Sequence, residues 1–280
     1  MRIKLLLLTL IISSLSASCS RLAYVRTFKP HLLHGQPNSI ERKGWMLTFQ
    51  DEFNDKKLDK DKWSTVPYFG LPYHPSHTYQ YYCDDCFTFS DSTIFIPVIQ
   101  QEKKFDTLSI PYGVGLLDNY KVFDQQYGYF EIRCRIPEGP ALWPAFWLVS
   151  RYAWPPEIDI FEFYTSRHKR KLYSNLHWRS TSKKKKRPNQ WKEKEHKLPD
   201  PAAQFHVYGC EWNEKEIRWY FDDILIRKQK NDTAEFKYPM HITINNAVQN
   251  NEDLKSGNAL LPALFEVDYV RAYKATGPRK

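Results

Sequence analysis

The 280-residue sequence predicts an all-β protein built as a sandwich of two antiparallel sheets. Three observations support this prediction: short runs of alternating apolar and polar residues, turn signals between those runs, and an aromatic content of 16%. Aromatic side chains pack well on pleated surfaces and are enriched in strands. With 42% hydrophobic residues and only 10 Gly, the composition excludes collagen-like and wholly disordered chains.

The alternating runs mark the individual strands. In residues 129–136, apolar side chains at every second position alternate mostly with charged ones, and similar runs occupy 206–212, 217–221, 241–244 and 266–273. Because residues i and i+2 share one face of a strand, each run predicts a strand with one buried face. Between Trp45 and Lys274 there is no internal repeat, linker or sustained helical period, which indicates one domain over residues 44–280.

The N-terminus has the features of an export signal. Arg2 and Lys4 precede an apolar stretch that is too short to span a membrane, and small residues follow it. Residues 16–19 are similar to a bacterial lipoprotein processing site, in which Cys19 becomes the acylated N-terminus; simple secretion is the alternative. We therefore predict a signal peptide over 1–19, a tether over 20–43, and a membrane-anchored cell-envelope lipoprotein or a secreted protein.

The positive charge of the chain is concentrated in one segment. The net charge is +9, yet residues 167–197 hold 13 Lys and Arg against only Glu193 and Glu195, so the remainder of the chain is slightly acidic. This distribution argues against a nucleic-acid partner. We interpret the segment as a solvated loop, or as a surface that contacts an anionic polymer.

The most informative stretch is residues 157–162, which read E-I-D-I-F-E. In a regular strand Glu157 and Asp159 share one face, whereas Glu162 falls on the opposite, core-facing side, where an unpaired carboxylate is costly. A β-bulge at Ile160 and Phe161 returns Glu162 to the face of the other two acids. A merely solvated strand gains nothing from a row of like charges, so we expect a functional use.

Two chemical uses and one structural use fit such a row. Paired carboxylates act as nucleophile and general acid in retaining glycosidases. A calcium or magnesium site is the second use, although these ions usually collect ligands from looping backbone, so no metal is predicted at the row. The structural alternative is the acidic side of an ordinary amphipathic strand.

Aromatic residues lie just upstream of the acids. Alternation places Trp143, Ala145 and Trp147 on one face, where the Trp rings either pack in the core or form a platform on which sugar rings stack. We expect Trp154 and Trp178 to extend the same groove.

The cysteines other than Cys19 leave their pairing open. Cys83 and Cys86 are close enough in sequence to close a small disulfide ring, and Cys134 alternates in phase with core residues. No second cysteine pair supports a zinc site, and the pairing of Cys210 stays open.

These motifs resemble glycoside hydrolase family 16, the jelly-roll endo-glycanases that include laminarinases, agarases and carrageenases. The segment 157–162 is similar to the family's bulged E-x-D-x-x-E signature. Residues 49–53, 127–131, 143–147, 205–212 and 267–271 resemble its other strands. The resemblance implies a jelly-roll β-sandwich with a concave substrate cleft.

The resemblance also implies roles for single residues. It makes Glu157 the nucleophile, Asp159 the residue that orients it, and Glu162 the general acid/base. It places His177 near the cleaved bond and Asn245 on the penultimate strand, so His177 and Asn245 join Trp143 and Trp147 as expected substrate-binding residues. No cofactor is required, and a structural calcium ion near Asp268 is allowed.

The predicted function is hydrolysis of a β-linked polysaccharide by a retaining, endo-acting enzyme. A β-1,3- or β-1,3-1,4-glucan is the first expectation for the substrate. Two alternatives stay open: a sulfated galactan of the carrageenan, agar or porphyran type, and a surface lipoprotein that binds glycans without cleaving them. The expected partner is the polysaccharide, with no nucleic acid, membrane contact only through the anchor, and a monomeric state.

Overall fold

A computed structural model describes residues 44–166, 170–180, 189–233, 235–250 and 252–277. In these residues the chain forms 17 strands, one four-residue helix and a short 3-10 turn at Glu235–Lys237. The strands are β1 (Trp45–Asp51), β2 (Gln80–Tyr82), β3 (Thr88–Phe89), β4 (Ile94–Phe105), β5 (Leu108–Val114), β6 (Leu116–Asp118), β7 (Gly128–Arg135), β8 (Leu142–Val149), β9 (Glu157–Phe163), β10 (Lys171–Arg179), β11 (Asn189–Trp191), β12 (Lys194–Lys197), β13 (His206–Trp212), β14 (Glu216–Phe221), β15 (Ile224–Lys230), β16 (His241–Val248) and β17 (Ala263–Ala275). The helix, α1, is Glu252–Lys255.

The strands form two sheets. Sheet I has ten strands in the order β15-β14-β13-β7-β17-β4-β5-β2, with β1 also paired to β17 and β3 to β4. Sheet II has seven strands in the order β11-β10-β9-β8-β16-β6, with β12 also paired to β10. The predicted all-β, two-sheet architecture is confirmed, and so are the five strands expected from the alternating runs. One pairing differs from the expectation, because β2 runs parallel to β5 at the edge of sheet I.

The two sheets enclose one large core. Phe161 of β9 lies 4.6 Å, between ring centroids, from Tyr208 of β13 and 6.2 Å from Phe265 of β17. All three rings are fully buried. Burying a side chain of this size contributes roughly 1.5–3 kcal/mol, so the contacts from β9 to sheet I hold the central strand of sheet II in place.

Two of the cysteines are paired. Cys83 and Cys86, whose pairing the sequence left open, form a disulfide, and Cys134 is fully buried in the core, as predicted. Cys210 is buried as a free thiol. The predicted signal peptide, Cys19 and the tether lie outside the described residues. Within the described part of the chain, no helix has the length and apolar character needed to cross a membrane.

Candidate active site

Strand β9 contains a bulge at the predicted position. Phe146 and Trp147 are adjacent on β8, yet their partners on β9 are Phe161 and Asp159, so Ile160 is an extra residue. The pairing of β9 with β10 shifts at the same point. Ile160 and Phe161 are both buried, which is the arrangement that the out-of-phase acid required.

The bulge brings the three acids to the outward face of sheet II. Tyr173 and Asn175 of β10 pair with Glu162 and Asp159, and the Asn175 side chain itself donates a hydrogen bond to Glu162. Asp159 and Glu162 are 3% and 7% exposed, so the acids lie in a largely water-excluded setting rather than on a solvated strand face. This excludes the interpretation as an ordinary amphipathic strand.

Glu157 lies at the start of β9, and its carboxyl group lies between the indole nitrogen of Trp154 and a ring nitrogen of His177. The indole N–H of Trp154 donates a 2.8 Å hydrogen bond to its Oε2 atom. The Nε2 atom of His177 lies 3.5 Å from Oε1 of Glu157 and 3.3 Å from Oδ2 of Asp159. His177 is the direct cross-strand partner of Glu157 and lies beside the acids, and its contact with a substrate stays a prediction.

Glu162 accepts hydrogen bonds from three side chains. The Trp143 indole N–H and the Tyr164 hydroxyl donate to Oε1 at 2.9 and 3.0 Å, and the Asn175 amide donates to Oε2. A tyrosine hydroxyl donates to a carboxylate and accepts from a carboxylic acid, so the Tyr164 contact survives a change of protonation at Glu162. The carboxyl group is therefore held in place in both states.

Burial raises the pKa of all three carboxyl groups. For Glu157 the charge of Asp159 adds to this effect, and for Asp159 the charge of Glu162 does so. His177 and the Trp154 hydrogen bond favour the ionised form of Glu157, while the hydrogen bonds from Asn175, Tyr164 and Trp143 favour that of Glu162. Neighbouring carboxyls of this kind titrate as a unit, and the cluster retains protons above the usual range of carboxylic acids.

Asp159 occupies the middle of the row and has a buried cation behind it. Its backbone carbonyl accepts a 2.9 Å hydrogen bond from the indole of Trp219 on β14. The Arg227 guanidinium lies 4.2 Å above that indole ring and lowers the pKa of Asp159 against the effect of burial. Sheet I thus supports the acids from beneath.

The expected substrate-binding residues of β8 and β16 lie beside the acids. Trp143 reaches Glu162, and the Trp147 indole donates a 2.8 Å hydrogen bond to Oδ1 of Asn245. Trp143, Trp147 and Asn245 are all half-buried, so part of each side chain faces solvent. Their placement fits the wall of a cleft more closely than the core.

One expectation is wrong. Trp178 packs against the core, with its ring 6.5 Å from that of Phe236, and does not extend the groove. It follows His177 directly, and successive residues of a strand point to opposite faces. Alternation alone therefore places Trp178 inward.

Two residues that bind Glu162, and one exposed Trp of sheet II, were not predicted from the sequence. Asn175 and Tyr164 lie two positions from His177 and Glu162, so the same period of two would have placed them with the acids. Trp191, 59% exposed on β11, follows the lysine-rich run without an alternating pattern, and no sequence signal marks it.

Within the described part of the chain, one cluster of side chains could hold a metal ion, and it lies at the acids. One ligand atom each from Glu157, Asp159 and His177 lies within 4.8 Å of the others, a cluster that accommodates a cation. At the second candidate position, the Asp268 carboxylate is paired with the Arg133 guanidinium. That side chain does not fit a calcium site in this arrangement, and the structural calcium ion stays a prediction.

The basic segment is only partly described. Residues 167–169 and 181–188, which include the lysine run, lie outside the described residues. Among the rest, Lys171 pairs with Glu195 at 2.8 Å and Arg170 with Asp200 at 3.0 Å. Contact between this segment and a substrate stays a prediction.

Comparisons with known proteins agree with this geometry. The family model "Glycosyl hydrolases family 16" matches residues 115–259. The chain is 29% identical over 255 residues to the endo-1,3-1,4-beta-glycanase ExsH of Rhizobium meliloti, covering 84% of this chain and 53% of the relative. It is 27% identical over 273 residues to the glucan endo-1,3-beta-glucosidase A1 of Niallia circulans, covering 86% of this chain and 39% of that relative. The chain thus spans about half the length of the first of these two relatives and less than half of the second.

A solved structure supports the fold. The laminarinase catalytic domain of Thermotoga maritima superimposes with a TM-score of 0.71 at 24% identity, covering 84% of this chain and all of that domain. The two-sheet architecture is therefore the jelly roll that the sequence motifs implied. The family model matches more than half of the chain, and the bulged row of three acids is in place. The chain therefore belongs to glycosyl hydrolase family 16.

Proposed function

We propose that this protein is a retaining endo-glycosidase that hydrolyses a β-linked glucan. The observation that supports this most directly is the separate set of partners around each outer acid. Glu157 contacts Trp154 and His177, whereas Glu162 contacts Trp143, Tyr164 and Asn175. Two carboxyl groups on one face with different environments are suited to different roles in one reaction.

The proposed reaction proceeds by double displacement. The Glu162 carboxylic acid gives its proton to the glycosidic oxygen, the bond from that oxygen to the anomeric carbon breaks, and the Glu157 carboxylate bonds to the carbon. Water then attacks the same carbon and gives a proton to the Glu162 carboxylate, and the ester bond to Glu157 breaks. Asp159 and His177 orient Glu157 throughout.

The proposed substrate is a β-1,3- or β-1,3-1,4-glucan. Two relatives carry these linkages in their names. Trp143 and Trp147 offer partly exposed rings beside the acids, and aromatic planes suit the apolar faces of neutral sugars. A neutral polymer also requires no cationic cleft, in keeping with the ion-paired state of Lys171 and Arg170.

Release of reducing ends from a panel of polysaccharides tests the proposal. We expect activity on laminarin or mixed-linkage glucan, with the first-formed product in the configuration of the substrate by proton NMR. Glu157→Gln should lose at least about a thousandfold in kcat, whereas the exposed Glu252→Gln of α1 should keep full activity.

The other outcomes decide between the alternatives. A first-formed product of inverted configuration, or full activity of Glu157→Gln, would refute the mechanism. Preference for a sulfated galactan with steep loss of activity at higher ionic strength would replace the glucan as substrate. Binding without any release of reducing ends would indicate a glycan-binding protein.

We also propose that the chain is exported and lipid-anchored through Cys19. The support is the sequence of residues 1–20 alone. Metabolic labelling with a fatty acid should label the mature protein, and a Cys19→Ser variant should remain unlabelled. Labelling that survives this substitution would refute the assignment of the anchor.

A further inference from the structure

A large aromatic side chain is exposed on the edge strand of sheet II. Trp191, the last residue of β11, is 59% exposed, the highest value for a Trp among the described residues. Trp side chains are usually covered over most of their area, and burial of such a ring is strongly favourable. A Trp left open in this way is a candidate for covering by a ligand.

The strand register shows which face the ring occupies. Trp191 pairs directly with His177 of β10, and directly opposed residues of an antiparallel pair share one face. The neighbouring pair, Trp178 with Gln190, lies on the core side, because Trp178 packs against Phe236. Trp191 therefore lies on the same face as the acids.

Trp191 continues a row that crosses the strands. Glu157 of β9 pairs with His177 of β10, and His177 pairs with Trp191 of β11. With neighbouring strands about 4.8 Å apart, the backbone of Trp191 lies roughly 10 Å from that of Glu157. Trp143 and Trp147 lie on β8, on the opposite side of β9. The acids are thus flanked by aromatic residues on both sides.

The short strand that carries the ring is held from beneath. Lys192, the next residue, exchanges two backbone hydrogen bonds with Leu176, at 2.9 and 3.2 Å. Its carbonyl also accepts a 3.0 Å hydrogen bond from the guanidinium of Arg227, which is 4% exposed. Arg227 in turn stacks on Trp219 of sheet I. These contacts fix the backbone beside Trp191, and a preorganised platform loses little freedom on binding.

We propose that Trp191 is a sugar-stacking subsite that takes the apolar face of a neutral β-linked pyranose, on the β10 and β11 side of the acids. The proposal rests on the proposed function. The subsite binds a unit one or two sugars away from the bond that is cleaved. It therefore adds affinity for long chains and contributes nothing to the shortest substrate.

Two measurements on the full chain test the subsite, one of binding and one of turnover. In native gels containing laminarin or mixed-linkage glucan, Trp191→Ala should weaken retardation of the protein, with an apparent affinity lower by roughly tenfold. On a series of oligosaccharides, its kcat/KM should fall by a similar factor for the longest and stay unchanged for the shortest that the protein cleaves. Trp191→Phe should retain most of the affinity for glucan and most of the kcat/KM on long oligosaccharides. Added salt should change neither quantity.

A matched control and the contrary outcomes complete the test. Leu225→Ala removes another exposed apolar side chain, 48% exposed on β15 of sheet I, and should change neither readout. If Trp191→Ala lost kcat/KM equally on short and long substrates, or bound glucan as tightly as the wild type, the proposed subsite would be refuted. If the wild-type protein bound glucan through Trp191 but released no reducing ends, the subsite would stand and the proposed hydrolase activity would fall.

Discussion

The indole N–H of Trp219 donates a 2.9 Å hydrogen bond to the backbone carbonyl of Asp159. A bulge interrupts the ladder of backbone hydrogen bonds, and an unpaired carbonyl in the core is costly. Here the bulged strand of sheet II obtains a partner from a fully buried residue of sheet I. The same bond that satisfies the carbonyl also positions the backbone of the central acid.

Trp219→Phe should therefore impair both stability and turnover. Loss of the donor leaves the Asp159 carbonyl buried without this partner, and we expect the free energy of unfolding to fall by about 1–3 kcal/mol. Because the acids move with their backbone, kcat should fall by about tenfold or more. Urea denaturation and steady-state kinetics measure the two effects.

Trp212→Phe is the matched control for this prediction. Trp212 is also fully buried in sheet I and donates a 3.0 Å hydrogen bond to a backbone carbonyl, that of Phe236. We expect a similar loss of stability without the loss of kcat. Equal losses of kcat in both variants would show that the Asp159 contact has no special role.

The bulge itself could be predicted from the sequence, and the reason is local. Five positions separate Glu157 from Glu162, an odd spacing that a regular strand cannot place on one face, and two apolar residues precede the second acid. The same period of two placed Cys134 in the core, whereas the expected position of His177 followed from the resemblance to the family and not from alternation. Where faces follow from alternation, sequence and structure agree.

The features that carry no local sequence signal depend on long-range pairing. The parallel pairing of β2 with β5 and the hydrogen bond from Trp219 to Asp159 join segments that are far apart in sequence. Trp191 lies on a three-residue strand, too short to show alternation. Its exposure follows from the position of β11 at the edge of sheet II, and strand order is not encoded in any local pattern.

Trp154→Phe should shift the acid limb of the pH profile. The indole N–H of Trp154 lowers the pKa of Glu157, so its removal raises that pKa. Because the nucleophile must be ionised, the acid limb of kcat/KM should move to higher pH. Activity on the acidic side of the profile should therefore fall relative to the wild type.

Trp143→Phe makes the complementary test on the other acid. The indole N–H of Trp143 lowers the pKa of Glu162, and its removal raises that pKa. Because the general acid must be protonated, the basic limb should move to higher pH while the acid limb stays in place. Movement of the same limb in both variants would contradict the separate roles of Glu157 and Glu162.

Metal ions should inhibit turnover at this site and should not be required for it. Glu157, Asp159 and His177 offer three ligand atoms within 4.8 Å, and a mixed carboxylate and imidazole set suits zinc. Zinc bound there would occupy the nucleophile. We expect a chelator to leave turnover unchanged, and micromolar zinc to inhibit in a manner that the chelator reverses. Loss of turnover in chelator, restored by one particular cation, would show instead that the reaction requires a metal.

The Asp159→Asn variant should become more stable than the wild type as the pH rises. Burial raises the pKa of Asp159 in the folded state above its value in the unfolded chain, so the folded state binds the proton more tightly. The stability associated with that proton is fully present below the unfolded pKa and is lost as the pH rises through the folded pKa. Asparagine does not titrate, so the variant avoids this loss.

The expected difference in stability has a definite dependence on pH. At pH 4 the wild type and Asp159→Asn should unfold at similar temperatures, and by pH 8 the variant should be more stable by an amount on the order of 1 kcal/mol. Asp91→Asn is the matched control, because Asp91 is exposed, pairs with Lys56 and has a lowered pKa, so it should show no such gain. Calorimetry across this range measures the trend. Stability that fell relative to wild type with rising pH would mean that Asp159 is favoured as an ionised partner of His177, and that burial is not the dominant influence on its charge.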